Sequence, residues 1–423
     1  MAEQTKVKTL EKVVIRFSGD SGDGMQLTGT IFSNLSAVFG NEISTFPDYP
    51  AEVRAPQGTL SGVSGFQVHL GSRKIFTPGD KADVLVAMNP AALKVNVKHL
   101  KPNAIVLIDT DSFKKSDLDK ALFTTDDPFT ELGLTGVQVV AAPISTMVKD
   151  GLVEFGLDNK SALRCKNMFA LGLVCWLFER PLEEAMHMLQ NKFAKKPVIA
   201  QANIKALTDG YNYGNNIHAS VSTYRIESKK AEPGFYTDVN GNKATSYGLI
   251  AAAEKAGLQL FLGSYPITPA TDILHELSKR KDLGVITVQA EDEIAGICTS
   301  IGASFAGCLA ATSTSGPGLA LKSEAIGLAV IAELPLVIID VQRGGPSTGL
   351  PTKSEQTDLM QALYGRNGES PAVVIAASTP TDCFDAAFWA GKLAVEHMTP
   401  VILLTDAFIA NGSSAWRIPE MDK

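Results

Sequence analysis

Paired cysteine spacing is missing from this sequence. The five cysteines (Cys165, Cys175, Cys298, Cys308 and Cys383) lie far apart, with no C-x-x-C and no Cys/His set at ligand spacing. The chain is therefore not expected to hold a zinc or iron–sulfur centre by itself. Long basic runs are missing too, and 38 Lys and Arg stand against 45 Asp and Glu for a net charge of −7. That balance gives a phosphate backbone nothing to track, so no nucleic acid partner is expected. No apolar stretch approaches the ~18 uninterrupted residues of a transmembrane helix, and the opening MAEQTKVKTLEKVV lacks the apolar centre of a signal peptide. No membrane association is expected, and a reducing cytoplasm is the expected location. Charged residues make up only 20% against 45% hydrophobic, which excludes a disordered chain.

What is present is a long, regularly patterned α/β chain. Its 423 residues imply two or three domains of about 150 residues. The first half opens with VVIRFSG, then a glycine loop, then Leu27, Ile31, Leu35 and Val38 at helical spacing. Further strands are expected at 66–70, 83–88, 104–109 and 137–142, with helices from Ser161 and after Pro181. From Ser220 to Lys243 the text becomes polar and turn-rich, which predicts a linker. The second half alternates apolar strands (LQLFLG, GVITVQA, CLAATSTS, LPLVIID, AVVIAA, PVILLTD) with helical segments. This predicts a doubly wound parallel sheet covered on both faces. The expected division is 1–219, a linker at 220–243, and a second domain at 244–423.

Several segments carry chemistry. Gly19-Asp20-Ser21-Gly22-Asp23-Gly24 lies between a strand and a helix, where backbone N–H groups can meet an anion. Two aspartates work against an anion, so a tight structural turn and a phosphate contact both remain open. Asp23 is read as a decoy for a metal motif, because no Asn follows at the needed distance. The segment 42–65 has little regular pattern and contains Arg54, whose fork suits a carboxylate. In the second half, polar loops follow successive strands: Tyr265-Pro266-Ile267-Thr268-Pro269, Gln289-Ala290-Glu291-Asp292-Glu293, the hydroxyl-rich Thr312–Gly318 and Arg343-Gly344-Gly345. The prolines stiffen the backbone around Thr268. Two of the three acids at 291–293 are accounted for by the helix dipole and capping. All these loops fall at the carboxyl ends of parallel strands, where such sheets bind ligands.

Together these motifs resemble the 2-oxoacid:ferredoxin oxidoreductases, in the arrangement where a γ-type domain is fused ahead of the α domain, as in the α subunits acting on 2-oxoglutarate. The Tyr265–Pro269 motif, the Q-x-E of Gln289 to Glu291, the T-S-x-S-G-P-G loop and Arg343 carry the resemblance. It implies an N-terminal γ-type α/β domain followed by a thiamine diphosphate pyrimidine-binding domain. Thiamine diphosphate would be shared with a β subunit that carries the diphosphate site, Mg2+ and a [4Fe-4S] cluster. Coenzyme A would be co-substrate, ferredoxin the electron acceptor, and (αβ)2 the assembly. The resemblance assigns Glu291 to the aminopyrimidine nitrogen, Tyr265, Pro266 and Ile267 to cofactor contacts, and Thr268 and Arg343 to the substrate carboxylate. Arg54 would reach the distal part of the substrate. A third, transketolase-C-terminal-like domain, usual in these chains, is not expected here. The competing readings are the same chemistry on pyruvate or branched 2-oxoacids, another thiamine enzyme of the transketolase or acetolactate synthase class, or a non-catalytic binding or scaffold subunit.

Overall fold

The computed structural model describes residues 7–50, 55–217, 223–228 and 232–420. The chain divides into two compact units, Met1–Asp238 with Arg417–Lys423, and Val239–Trp416.

In the first unit the β-branched run becomes strand β1 (Lys12–Asp20), buried along seven consecutive positions. The glycine loop follows and delivers the chain to helix α1 (Met25–Val38), which starts at Gly24 with a left-handed φ of 74°. Then come β2 (Glu42–Asp48), β3 (Val63–Gly71), β4 (Ala82–Ala87), β5 (Leu100–Asp109) and β6 (Gln138–Ala142). Their spatial order is β6-β5-β4-β1-β3-β2. The pairs β1–β3 and β2–β3 are antiparallel and the others parallel. Helices α2 (Lys166–Leu177) and α3 (Pro197–Asn216) approach closely where Gly172 meets the backbone of Leu207, and Gly210 that of Phe169.

Two expectations change here. The segment from residue 42 is a regular strand as far as Asp48, because Ile43, Thr45 and their neighbours pair with β3 from Glu42–Gly71 to Asp48–Gly65. Its polar end is tied inward, with Arg16 donating to Asp48 and to the buried Asn96. The proposed linker also holds structure: Tyr224–Ile226 pairs in parallel with Lys8–Leu10, and Tyr236–Asn240 is a strand. At the end of this segment Asn240 starts a helix. The Asn240 side chain accepts from Lys243 N as an N-cap. The rest of the linker, at 220–222 and 229–231, lies outside the described residues.

The second unit begins with helix α4 (Gly241–Ala256) and then alternates β7 (Leu260–Ser264), α5 (Thr271–Ser278), β8 (Ile286–Gln289), α6 (Glu293–Phe305) and β9 (Leu309–Thr314). Next come α7 (Gly316–Leu321), α8 (Ser323–Ile331), β10 (Leu336–Gln342), α9 (Leu359–Tyr364), β11 (Val373–Ala376), α10 (Asp382–His397) and β12 (Pro400–Asp406). The strand order is β8-β7-β9-β10-β12-β11, and every pair is parallel. Alternate residues of β10 serve opposite cores: Val337, Ile339 and Val341 join one cluster, Leu336 and Ile338 the other. Both faces are therefore covered, which is why these strands read as continuous apolar runs. From β7 the chain crosses to one side and from β9 to the other, so a topological switch point lies between their carboxyl ends.

Candidate active site at the carboxyl edge of the second sheet

The switch point is pinned by hydroxyls. Ser264, the last residue of β7, donates to the Ser313 carbonyl at 2.8 Å, and its Oγ lies 2.8 Å from Ser313 Oγ on β9. Directly after Ser264 the Tyr265–Pro269 segment turns away. Tyr265 and Thr268 are exposed, Ile267 packs onto the core, and Pro269 is buried with its carbonyl accepting from Asn242 Nδ2 at 2.9 Å. The stiffening expected from two prolines is thus joined by anchoring on both sides of Thr268.

Arg343 leaves the end of β10 and reaches back to this segment. Its Nη1 donates to the Thr268 carbonyl at 2.6 Å and its Nη2 to the Thr348 carbonyl at 2.9 Å. The residue is only 7% exposed, and its Nε is buried with no partner. A guanidinium has five N–H donors, so Arg343 keeps unused donors in a buried place. Burial lowers its pKa, while Glu293 opposes the shift.

The acidic triplet separates into three environments. Asp292 caps α6, accepting from Ala295 N at 2.7 Å. Glu291 is exposed, whereas Glu293 is 9% exposed at the first position of α6. Glu293 is held against the T-S-x-S-G-P-G turn, where a Cβ on Gly318 would lie 2.8 Å from Glu293 Cγ. Lys322, completely buried, donates to the Glu293 backbone carbonyl at 2.6 Å. Burial pushes the Lys322 ammonium down to about 8, with Glu293 and Asp292 partly restoring it. Thr312 Oγ1 and Ser315 Oγ are buried without partners in the same region.

The structure therefore brings Thr268 and Arg343 together and sets Glu293, rather than Glu291, among the buried groups. Sequence reasoning did not single out Lys322. The count of three acids against two capping roles left one acid spare, and Glu293 is the one that is buried. Lys322 had no sequence signal beyond a lone cation inside an apolar segment. Arg54 lies outside the described residues. In the first unit Asp23 is a structural group: its carboxylate pairs with Lys166 Nζ at 2.9 Å and accepts from Asp20 N at 2.9 Å. Among the described residues no set of three or more His, Cys, Asp or Glu could hold a metal, and no helix is long and apolar enough to cross a membrane.

A parallel, doubly wound sheet with a buried acid and a buried arginine at its switch point defines a cofactor-binding α/β unit. Comparison with known proteins is specific. The family model described as pyruvate ferredoxin/flavodoxin oxidoreductase matches residues 14–213. The thiamine-diphosphate-binding model of pyruvate flavodoxin/ferredoxin oxidoreductases matches residues 251–423. A 2-oxoglutarate oxidoreductase subunit KorA from Mycobacterium tuberculosis is 54% identical over 98% of this chain and 63% of its own length. A 2-oxoacid:ferredoxin oxidoreductase α subunit from Aeropyrum pernix is 32% identical over 67% of this chain and 45% of its own. Among solved structures, a 2-oxoglutarate:ferredoxin oxidoreductase from Magnetococcus marinus matches with a TM-score of 0.81 and 33% identity. That match covers 98% of this chain and 66% of that one. The chain belongs to the 2-oxoacid:ferredoxin oxidoreductase family. It spans a little under two thirds of the length of the M. tuberculosis and M. marinus proteins.

Proposed function

We propose that this chain is the α-type subunit of an enzyme that oxidatively decarboxylates 2-oxoglutarate with coenzyme A to succinyl-CoA and CO2, passing the electrons to ferredoxin. The observation that carries this reading is the buried Arg343, with unspent donors, tied to the Thr268 carbonyl at the carboxyl edge of the second sheet. The choice of substrate is supported by the M. tuberculosis relative, named for 2-oxoglutarate, and by the M. marinus structure, described with 2-oxoglutarate, coenzyme A and succinyl-CoA bound.

The residues present suit the pyrimidine end of thiamine diphosphate. A buried carboxylate, unpartnered hydroxyls on Thr312 and Ser315, and a turn with no room for a Cβ at Gly318 make a polar cradle. Tyr265, Pro266 and Ile267 would form its wall. When bound, thiamine diphosphate supplies the electron sink that lets a 2-oxoacid lose CO2. Glu291, exposed on this chain beside the buried Glu293, would hold and return a proton at its carboxylate toward the aminopyrimidine nitrogen of a cofactor shared with the β subunit. Arg343 would bind the substrate carboxylate through Nε and its free Nη hydrogens, a planar fork matched to two oxygens. Thr268, fixed by the Arg343 contact to its own carbonyl, would align the keto group. Arg54 would take the second carboxylate.

The diphosphate site, Mg2+ and a [4Fe-4S] cluster would lie on a partner β subunit, in an (αβ)2 assembly located in a reducing cytoplasm. Five free cysteines are in keeping with that compartment. The test is to assemble this chain with a β-type partner and follow reduction of ferredoxin or a viologen dye. Activity should require coenzyme A and show its highest kcat/KM with 2-oxoglutarate. A preference for pyruvate or a branched 2-oxoacid would refute the substrate, and no turnover with any of them would refute the enzyme reading.

A further inference from the structure

Beneath the loop that carries Arg343 lies a pair of carboxyls that the proposed reaction does not use. Asp340, on β10, is 0% exposed. Asp358, immediately before α9, acts on it carboxyl to carboxyl. Neither oxygen of Asp340 meets an ordinary donor, and Asp358 Oδ2 is buried without one as well. Two ionised carboxylates in such contact repel, and the contact becomes favourable when one proton lies between them.

The pair sits at the foot of the loop. The Asp358 backbone N donates to Gln342 Oε1 at 3.0 Å, and Gln356 Nε2 donates to Asp406 at the end of β12 at 2.7 Å. Higher in the same loop Gly345 N donates to Glu355 at 2.7 Å. From the β9–α7 side the pair is sealed by Gly316, where a Cβ would lie 2.6 and 2.7 Å from the two Asp358 oxygens. The register neighbours of Asp340 are the uncharged Thr314 on β9 and Leu404 on β12. Glu355 is the further acid acting on Asp358. Asp406 accepts from Gln356 and from the backbone N–H groups of Phe408 and Ile409.

We propose that Asp340 and Asp358 share one proton and act as positioning residues: the shared proton fastens the Arg343 loop to β10, and its loss releases the loop and weakens the grip of Arg343 on the 2-oxoacid carboxylate. This rests on the substrate role of Arg343 proposed above. Burial, reinforced by repulsion from Asp358, raises Asp340 well above the ordinary carboxyl range, and burial raises Asp358. A group raised in the folded state holds its proton below that raised value and loses it as pH rises through it. The loop is therefore fastened on the acid side of the transition and freed on the alkaline side.

The test uses the enzyme assembled with its partner subunit. Infrared difference spectra between wild type and Asp340→Asn should show a protonated carboxyl at neutral pH that disappears on alkalinisation. Above the midpoint of that disappearance, KM for 2-oxoglutarate should rise about tenfold per pH unit, as for loss of one proton, while kcat moves far less. In Asp340→Asn and Asp358→Asn, whose amides keep a donor but carry no shared proton, KM should stay level across the same range. Hydrogen exchange of residues 343–358 should accelerate through the same midpoint in wild type alone. Absence of the carboxyl band at neutral pH would overturn the proposal, as would identical pH profiles in wild type and both variants. An assembled enzyme that turns over no 2-oxoacid would sink the functional reading instead, and the infrared and exchange data would still decide the latch.

Discussion

Arg343 Nη1 donates to the backbone carbonyl of Thr268 at 2.6 Å, joining the loops after β10 and β7 across 75 positions of sequence. The contact makes one loop the support of the other. The two residues that the sequence motifs nominate for substrate binding are thereby a mechanical unit, and their substitution should be coupled.

Arg343→Lys keeps a charge but cannot reach both the Thr268 and Thr348 carbonyls while offering a fork to substrate. Hydrogen bonds involving a charged group contribute about 1.5–3 kcal/mol each, so KM for the 2-oxoacid should rise roughly 10- to 100-fold. Steady-state kinetics on the assembled enzyme, alongside Thr268→Ala and the double variant, measure this. Non-additive losses are expected, since the two sites are in contact.

Glu291→Gln should lower kcat by about 10²- to 10⁴-fold, the range for loss of a positioned acid–base group. Turnover of the assembled enzyme at the wild-type level in this variant would overturn the proton-transfer role of Glu291.

Lys322 makes stability depend on pH in a particular direction. Its folded pKa, about 8 against an ordinary 10.5, means that the unfolded chain binds the extra proton between these values. Stability from this group therefore rises with pH through that window. The gain is of order 3 kcal/mol at full extent. Urea unfolding of wild type and Lys322→Met at pH 7.5 and 9.5 should show wild type gaining relative to the variant at the higher pH. A constant difference between them would contradict the lowered value.

Gly172→Ala tests the first unit independently of any chemistry. The added Cβ would run into the Leu207 backbone where α2 and α3 approach, and backbone cannot swing aside as a side chain can. A loss of about 1–3 kcal/mol is expected from overpacking, read as a lower midpoint in chemical denaturation.

Much of the second unit is legible in its sequence because buried parallel strands are written as unbroken apolar runs and their helices as amphipathic ones. The loops at the strand ends follow directly, and the Thr268 and Arg343 segments among them meet in the fold. The strands within the linker segment were not legible for a related reason: short strands such as Tyr224–Ile226 draw their stability from a partner remote in sequence, here Lys8–Leu10, and carry no period of their own. Burial was not legible either: Glu291 and Glu293 stand at the start of one helix and both suit its dipole, yet only Glu293 is buried.

The sequence by itself determined the α/β class, the parallel second sheet, the polar loops at its carboxyl edge, and the scattered cysteines that leave this chain without a cluster motif. Tertiary structure alone decided which acid is withdrawn from water, that Lys322 stands buried behind it, and that Asp340 meets Asp358. Those are consequences of burial and of contacts between distant strand ends. Both depend on how a side chain is enclosed in three dimensions, a property that composition and periodicity do not carry.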